Sequence, residues 1–504
     1  MNLYRQILPA AVALALMGGI QNVSAEHLVL LHTNDTHSQI YPDADGLGGI
    51  QRRKAVVDSV RAVRRNVMLI DAGDIVQGTL FFNIGGGQVE EKLMNALGYD
   101  LRILGNHEFD NGADSLAGNL AGAKAELLST NYRLDGSPLD GLFKKYAVRT
   151  YGGKRIGFMG INLRPEGMIA EGNYDGVRYL DAVAAANATA RYLRDVEGVD
   201  AVVAVTHVGY SPSEPPGDLD IAAASKDIDI IIGGHSHTLV DPSSGHMHRV
   251  KNADGREILV AQAGKRGHYV GQIDIDLDSL SALPEYTLIR VDGRLDGKAD
   301  PEIDAIIEPY RRGVDSLMTL KVGESAIALD RDGRPLLNFV ADYMVTRGRQ
   351  LAGDVDLGLI NKGGLRTSLP KGDITEGMVI NMMPFNNYTT VIELKGSDLM
   401  DAFDVMARTG GNGVSRNVAV EYSPVSKKCT SVRIDGKPLD KDKVYRVATI
   451  DYLANGGDYM QSLRNGRVVA RSPQVLYRDL LTYFRTDLKG KKIKPSGENR
   501  FKAK

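Results

Sequence analysis

Five short apolar segments in the first 240 residues are each followed directly by histidine, aspartate or asparagine, alone or after a short Thr or Gly spacer. The segments are rich in Leu, Ile and Val and cover residues 28–31, 67–70, 101–104, 201–205 and 228–232. Apolar runs of this length, bounded by polar turns, are typical of buried strands. Helix-like segments lie between them, at residues 49–65, 89–97 and 182–194. This alternation predicts an α/β layered domain.

The residues that follow the five strands carry the chemistry. The first three strands lead into His-Thr-Asn-Asp-Thr-His at 32–37, Asp-Ala-Gly-Asp at 71–74 and Gly-Asn-His-Glu-Phe-Asp at 105–110. The last two lead into Thr-His at 206–207 and Gly-Gly-His-Ser-His at 233–237. In open α/β sheets, ligands bind outside the carboxyl ends of the strands. We therefore expect the five loops to converge on one crevice.

The side chains in these loops favour a divalent metal site. Imidazole and carboxylate groups suit Zn, Mn, Fe or Co. Asp35 and His37 are two residues apart, so in extended backbone they project to the same side and can hold one ion. His235 and His237 repeat this spacing.

Two other polar residues of these loops receive a structural interpretation. We interpret His32 as a structural residue. Asp71 is expected to accept hydrogen bonds that shape its loop rather than to bind a metal.

The second half of the chain, from about residue 322, has strands and helices of its own. Apolar segments at 391–394 and 445–450 predict strands, and residues 336–347 predict a helix. The charged amphipathic stretch 300–320 predicts a single helix that connects the two halves.

The first 25 residues are typical of a signal peptide. Arg5 supplies a positive charge, residues 7–17 form a short apolar stretch, and Val-Ser-Ala at 23–25 is a small-residue cleavage site. We therefore expect export, to the periplasm or the medium. No later stretch offers ~20 uninterrupted apolar residues, so we expect no stable membrane insertion.

Charge and cysteine content exclude several classes of function. The chain has 61 basic and 63 acidic residues, a balance that gives no support to a nucleic-acid polymer as partner. The single cysteine, Cys429, excludes an intrachain disulfide framework and a cysteine-based zinc site. We expect a monomer that binds a small substrate.

The chain resembles a known family in both halves. Four motifs of the first half resemble those of the calcineurin-like dimetal phosphoesterases in order and approximate spacing: Asp35-x-His37, Gly73-Asp74, Gly105-Asn106-His107-Glu108 and Gly234-His235-x-His237. Three motifs of the second half resemble those of the 5'-nucleotidase C-terminal domain: residues 361–366 (Asn-Lys-Gly-Gly-Leu-Arg), 383–387 (Met-Pro-Phe-Asn-Asn) and 452–458 (Tyr-Leu-Ala-Asn-Gly-Gly-Asp). The resemblance covers essentially the whole chain after residue 25.

This resemblance implies a fold and a domain order. The fold would be an N-terminal four-layer α/β/β/α metallophosphoesterase domain and a C-terminal α+β substrate-binding domain, joined by a helix. The expected boundaries are 1–25 for the signal peptide, 26–292 for the catalytic domain, 293–321 for the linker helix and 322–504 for the substrate-binding domain.

The resemblance also implies two divalent metal ions, such as Zn, Mn or Co. One ion would be held by four residues: Asp35, His37, Asp74 and His237. The other would be held by a second set that shares the bridging aspartate: Asp74, Asn106, His207 and His235. His107 and Asp110 would form a catalytic dyad beside the phosphate.

Residues of the second half would bind the substrate. Arg366 would clamp the phosphate, Phe385 and Tyr452 would sandwich the nucleobase, and Asn361 and Asp458 would hydrogen-bond the ribose or base.

The sequence departs from the family at three places in this half. Tyr452 stands where many members have Phe, and Lys362 stands where Gly is common. Arg331 and Arg334 are both out of register with a further phosphate-binding Arg of the family, so neither is assigned.

The expected function is release of phosphate from nucleoside 5'-monophosphates by a metal-activated water, which makes the chain a phosphoric monoester hydrolase. Two alternatives share this chemistry: a 2',3'-cyclic-nucleotide 2'-phosphodiesterase/3'-nucleotidase and a nucleotide-sugar hydrolase. A third alternative, an inactive surface-binding module, predicts broken ligand motifs, yet all the expected ligand residues are present.

Overall fold

A computed structural model describes residues 26–211, 216–244, 248–297 and 299–504 of the chain. The predicted signal peptide, residues 1–25, lies outside these ranges. Among the helices of the described ranges, none combines the length and the apolar character that a membrane span requires.

The N-terminal region, residues 26–297, is built around two sheets. Its strands are β1 (His27–Thr33), β2 (Val67–Asp71), β3 (Leu101–Arg102), β4 (Glu126–Leu127), β5 (Tyr132–Arg133), β6 (Tyr146–Tyr151), β7 (Lys154–Asn162), β8 (Arg178–Tyr179), β9 (Ala201–His207), β10 (Ile230–Ile232), β11 (Arg249–Lys251), β12 (Glu257–Ala261), β13 (Tyr269–Asp276) and β14 (Glu285–Arg290). Its helices are α1 (Ile50–Val63), α2 (Leu80–Gly85), α3 (Gln88–Leu97), α4 (Ala113–Leu120), α5 (Ala182–Asp195) and α6 (Asp218–Ala224).

The two sheets pack face to face with helices outside them. One sheet has the order β14-β13-β1-β2-β3-β4 and the other β11-β12-β10-β9-β7-β6, while β5 and β8 form a separate pair. Side chains of β1 alternate between two cores: Leu28 and Leu30 face the second sheet, whereas Val29 and Leu31 belong to the core that includes α1 and α3. Helices α5 and α6 pack in the core of the second sheet. This α/β/β/α arrangement confirms the predicted fold class.

The predicted strands are present, with some differences in length. β1 and β2 pair in parallel and extend past the predicted segments to Thr33 and Asp71. β3 covers only two of the four predicted residues, Leu101 and Arg102. The apolar strand β7, which pairs in parallel with β9, was not among the predicted strands.

A long helix, α7 (Pro301–Thr319), follows the N-terminal region and confirms the predicted connector helix. The side chain of Asp300 caps it by accepting hydrogen bonds from the amides of Glu302 and Ile303. It packs against α2 and α3 of the N-terminal region and also against a helix of the C-terminal region, Glu376–Met382.

The C-terminal region, residues 321–504, is an α+β unit. Its strands are β15 (Lys321–Ser325), β16 (Leu357–Ile360), β17 (Gly372–Thr375), β18 (Tyr388–Lys395), β19 (Gly413–Val414), β20 (Val418–Tyr422), β21 (Cys429–Ile434), β22 (Lys437–Pro438), β23 (Val444–Ile450), β24 (Arg467–Val475), β25 (Lys492–Ile493) and β26 (Phe501–Ala503). Its helices are α8 (Arg334–Ala352), α9 (Glu376–Met382), α10 (Gly396–Arg408), α11 (Asp451–Ala454) and α12 (Leu476–Arg485).

A mixed sheet organises this region and presents its loops to the N-terminal region. Its strand order is β19-β16-β23-β18-β24, with β16 and β23 parallel and β18 antiparallel to both of its neighbours. Helix α8 packs on this sheet. The loops after β16 and β23 and the turn before β18 carry the residues expected to bind substrate.

Candidate metal and substrate site

The loops at the carboxyl ends of the strands hold their polar residues in unusual backbone conformations. Five residues expected to bind metal have positive φ angles: Asp35 (51°), His37 (47°), Asp74 (59°), His235 (78°) and His237 (57°). A non-glycine residue in this left-handed region costs about 1 kcal/mol or more and persists only where the surrounding structure enforces it. The sharp turns aim these side chains at one another across the crevice.

The first group of expected ligands is compact and largely buried. The Nε2 atoms of His37 and His237 are 2.9 Å apart, and the Oδ1 atom of Asp35 lies 3.9 Å and 3.5 Å from them, respectively. Around a metal with bonds of about 2.1 Å, tetrahedral ligand atoms are about 3.4 Å apart. The three side chains therefore fit a shared ion.

The second group lies beside the first. The Nε2 atom of His207 is 3.3 Å from Oδ2 of Asp74, and Nδ1 of His235 is 3.0 Å from Oδ1 of Asn106. The same Asp74 oxygen is 4.0 Å from Nε2 of His37, in the first group. Asp74 thus faces both groups, as a bridging ligand must.

The surroundings of His207 fit a metal ligand. Its Nδ1 donates to the carbonyl oxygen of Ala72 at 2.6 Å, whereas its buried Nε2 faces Oδ2 of Asp74 at 3.3 Å, a contact too poorly aligned for a regular hydrogen bond. An outer hydrogen bond of this kind fixes the ring with Nε2 toward the metal. Burial lowers the pKa of His207, but the Asp74 carboxylate outweighs it and raises the pKa to about 10, and a divalent ion would replace that proton.

His107 and Asp110, the residues expected to form a catalytic dyad, lie in contact with each other beside the residues expected to hold metal. Nδ1 of His107 lies 3.0 Å from Oδ2 of Asp110, and the backbone amide of His107 donates to Oδ1 of Asp74 at 2.9 Å. Burial lowers the pKa of His107, but the carboxylates of Asp110 and Asp74 outweigh it and raise the pKa above its ordinary value. His107 also lies within ligand distance of the group formed by His37 and Asp74.

The C-terminal region brings Arg366 to the same place. Its Nη2 atom is 3.4 Å from both ring nitrogens of His37, and among the described residues it forms no ion pair with a carboxylate. Burial, reinforced by the nearby Arg331, lowers the pKa of Arg366 to about 10. A guanidinium without a carboxylate partner beside a metal site is suited to bind an anion bidentately.

Phe385 and Tyr452 lie in the walls of one cavity. The Phe385 ring is 5.7 Å from the His107 ring and 5.7 Å from Cζ of Arg366, measured to ring centroids. The Tyr452 hydroxyl lies 3.0 Å from Oδ1 of Asp458, whose Oδ2 accepts from Nδ2 of Asn361 at 2.8 Å. All five residues expected to bind substrate line this cavity, which has a volume of about 490 Å³.

The structure adds residues that sequence reasoning missed. The loop between β7 and β8 contributes four side chains to the cavity wall: Met168, Ala170, Glu171 and Asn173. This loop has no apolar periodicity or metal-type pattern, so nothing in the sequence marked it.

The two structural interpretations agree with the contacts: Asp71 accepts from Thr33 and from the amide of Gly73, and His32 is buried against Tyr286.

Glu108 was quoted within a motif but given no role. Its carboxylate accepts hydrogen bonds from the backbone amides of Asp74 (3.1 Å), Ile75 (2.8 Å) and Gly105 (2.5 Å). It therefore ties two of the metal-binding loops together.

Two family models match this chain. Residues 28–239 match the calcineurin-like phosphoesterase family, and residues 317–465 match the 5'-nucleotidase C-terminal domain.

Individual relatives and a solved structure match most of the chain. Trifunctional nucleotide phosphoesterase protein YfkN of Bacillus subtilis is 29% identical over 495 residues, a match that covers 86% of this chain but only 32% of that protein. The 5'-nucleotidase of Homo sapiens is 28% identical over 527 residues, with 91% and 88% of the two chains covered. The crystal structure of a 5'-nucleotidase precursor from Thermus thermophilus superimposes with a TM-score of 0.83 at 29% identity, covering 95% of this chain and 99% of the other.

Fold and site define a calcineurin-like phosphoesterase that uses two divalent metal ions. With its second domain, the chain belongs to the 5'-nucleotidase family, and it is a phosphoric monoester hydrolase.

Proposed function

We propose that this chain releases phosphate from nucleoside 5'-monophosphates. One observation carries the proposal: residues from both regions of the chain line one cavity. Its lining includes four of the seven residues expected to hold metal (Asp74, Asn106, His235 and His237) and all five residues expected to hold a nucleotide. The relatives named 5'-nucleotidase support the same substrate class.

The short distance between the two ends of the cavity supports a monophosphate. Phe385 lies 5.7 Å from the His107 ring, which in turn lies 5.3 Å from the ring of His37. A base stacked on Phe385 would therefore place its own ribose and one phosphate next to the metal groups.

In this proposal, each side chain at the phosphate end has a defined task. Bound divalent ions supply Lewis acidity toward the phosphoryl oxygens and lower the pKa of a coordinated water. Arg366 holds the phosphate and balances its charge. His107 is oriented by Asp110, whose carboxylate raises the pKa of the imidazole, and it stabilises the charge that develops on the phosphoryl group or donates a proton to the leaving oxygen.

At the other end, the C-terminal region binds the nucleoside. Phe385 and Tyr452 offer aromatic faces for the base, while Asn361 and Asp458 offer hydrogen-bonding groups for ribose or base. Base stacking on aromatic side chains tolerates different bases. We therefore expect modest selectivity among the four nucleotides.

Export and domain limits complete the proposal. We propose that residues 1–25 direct export and are removed, leaving a periplasmic or secreted monomer. The catalytic domain would span 26–292, the linker 293–321 and the substrate-binding domain 322–504.

A substrate panel tests the proposed function. Phosphate release is measured with nucleoside 5'-monophosphates, 3'-monophosphates, 2',3'-cyclic nucleotides and nucleotide sugars, each with Zn, Mn and Co. We expect the highest kcat/KM with 5'-monophosphates. A preference for cyclic or 3'-nucleotides would instead favour the phosphodiesterase alternative, to which the name of the trifunctional Bacillus subtilis relative lends support.

A further inference from the structure

Arg266 connects the loop of Asp35, an expected metal ligand in the N-terminal region, to the loop of Arg366, the expected phosphate-binding residue in the C-terminal region. It follows β12 and has a φ angle of 57°. Its backbone amide donates to the carbonyl oxygen of Asp35 at 2.7 Å, and its Nη2 donates to the carbonyl oxygen of Arg366 at 2.8 Å. One residue thus contacts the backbone of an expected metal ligand and that of the expected phosphate clamp.

The loop that carries Arg366 is held from two directions. Within its own region, Nε of Arg331 donates to the carbonyl oxygen of Leu365 at 2.8 Å, and the amide of Arg366 donates to Met382 at 2.9 Å. From the N-terminal region, Arg266 supplies the hydrogen bond to the next carbonyl. Of these three hydrogen bonds, the one from Arg266 joins the Arg366 loop to the N-terminal region, which carries the expected metal ligands.

The positive charges around Arg366 indicate that these contacts do more than pack the two regions together. The guanidinium group of Arg266 binds the carbonyl oxygen of Arg366, and that of Arg331 binds the carbonyl oxygen of the preceding residue, Leu365. Arg331 pairs with Asp332 at 3.7 Å, so Arg266 and Arg366 are the two guanidinium groups here without an ion-paired carboxylate among the described residues. Holding two such cations close together is unfavourable unless an anion joins them. A phosphate dianion is an anion of suitable charge and shape.

We propose that Arg266 is a positioning residue, which fixes Arg366 in front of the metal groups when the two regions meet. It touches no reacting atom, because its side chain binds a backbone carbonyl rather than the substrate. This inference rests on the proposed function, since that function assigns Arg366 to the phosphate.

The left-handed backbone at position 266 decides which variants are informative. Asn tolerates positive φ but is too short to reach the carbonyl of Arg366, so R266N removes the contact without adding backbone strain. R266K keeps the charge but replaces the planar guanidinium with one ammonium group. R464A is the matched control, because Arg464 also crosses between the regions, to Glu171 at 3.1 Å, without contacting the Arg366 loop.

Binding of inorganic phosphate to the metal-loaded, full-length protein is measured by calorimetry. We expect about tenfold weaker binding in R266N, the size expected for loss of a charge-assisted hydrogen bond. The loss should be smaller in R266K and absent in R464A. With a nucleoside 5'-monophosphate, R266N should raise KM more than it lowers kcat.

A double variant tests whether Arg266 acts through Arg366. In the R366A background, R266N should cause no further loss of phosphate affinity. Unchanged phosphate binding in R266N, or an equal loss in both backgrounds, would overturn the proposal. If R266N does not fold, R266G replaces it, since Gly adopts the same φ without strain.

The two proposals fail in different ways. If the wild-type protein binds phosphate but hydrolyses no nucleoside monophosphate, the proposed function is wrong, and the calorimetric comparison still decides the role of Arg266.

Discussion

The two ends of the cavity are built in different ways. At the metal end, the side chains come from loops at the ends of parallel strands, which a rigid two-sheet core holds in left-handed conformations. At the nucleoside end, Tyr452 and Asp458 are held partly by the other region: the amide of Asp458 donates to the carbonyl oxygen of Gly167 at 2.9 Å, and the Tyr452 hydroxyl lies 3.1 Å from the same oxygen. The metal end is therefore preorganised, whereas the nucleoside end is complete only when the regions are in contact.

This difference predicts that changes at the metal end cause large losses that do not depend on domain contact. Changes at the nucleoside end should cause smaller losses, seen mainly in KM. The experiments below follow this order, from the largest expected effect to the smallest.

Asp74→Asn should cause the largest loss. Because Asp74 faces both metal groups, replacing one of its charged oxygens with an amide should lower metal content and activity together, with kcat falling ~10³-fold or more. Metal analysis and steady-state kinetics measure both quantities. Two ions retained per chain would contradict the bridging role.

Holding the two regions together should stop multiple turnover. Glu171, which lines the cavity, and Arg464 of the C-terminal region form an ion pair between the two regions. Cysteines at these two positions can therefore be joined by a short bifunctional reagent after Cys429 is replaced by Ser. Because substrate must enter and product must leave, the cross-linked protein should lose nearly all steady-state turnover. The same variant without the cross-link is the control, and full turnover in the verified cross-linked protein would rule out a need for domain opening.

His107→Ala should separate binding from chemistry. We expect intact metal content and a decrease in kcat of ~10²-fold, the usual size for loss of an acid–base or charge-stabilising group. His107 lies within ligand distance of His37 and Asp74, so metal analysis is essential here. Loss of one ion with near-normal turnover per loaded site would make His107 a ligand instead.

Tyr452→Phe should have the smallest effect. The ring remains for stacking, but the hydroxyl beside Asp458 and Gly167 is lost, so KM should rise only a few-fold, as expected for one neutral hydrogen bond of about 1 kcal/mol. Tyr452→Leu removes the aromatic face as well and should raise KM further. Equal KM values for the Phe and Leu variants would argue against base stacking at this position.

How much was predictable from sequence also differs between the two ends. The metal residues lie directly after apolar strands, and strand ends meet at one edge of a sheet, so local pattern predicted their convergence. The positive φ angles of Asp35 and Asp74 could not be read from their residue types, because only the surrounding fold enforces such backbone. The predicted ligand roles stay predictions until metal binding is measured.

The sequence by itself predicted the layered α/β fold, the connector helix and five loops with metal-type side chains, because apolar periodicity and side-chain chemistry are local properties. The resemblance to a known family implied which of those side chains would hold each ion. Only the tertiary structure decided which contacts join the two regions. The loop around Gly167 and the hydrogen bond from Arg266 to Arg366 show no pattern in the sequence. Their partners are about 100 to 300 residues away, and such contacts depend on how two folded surfaces meet rather than on any run of residues.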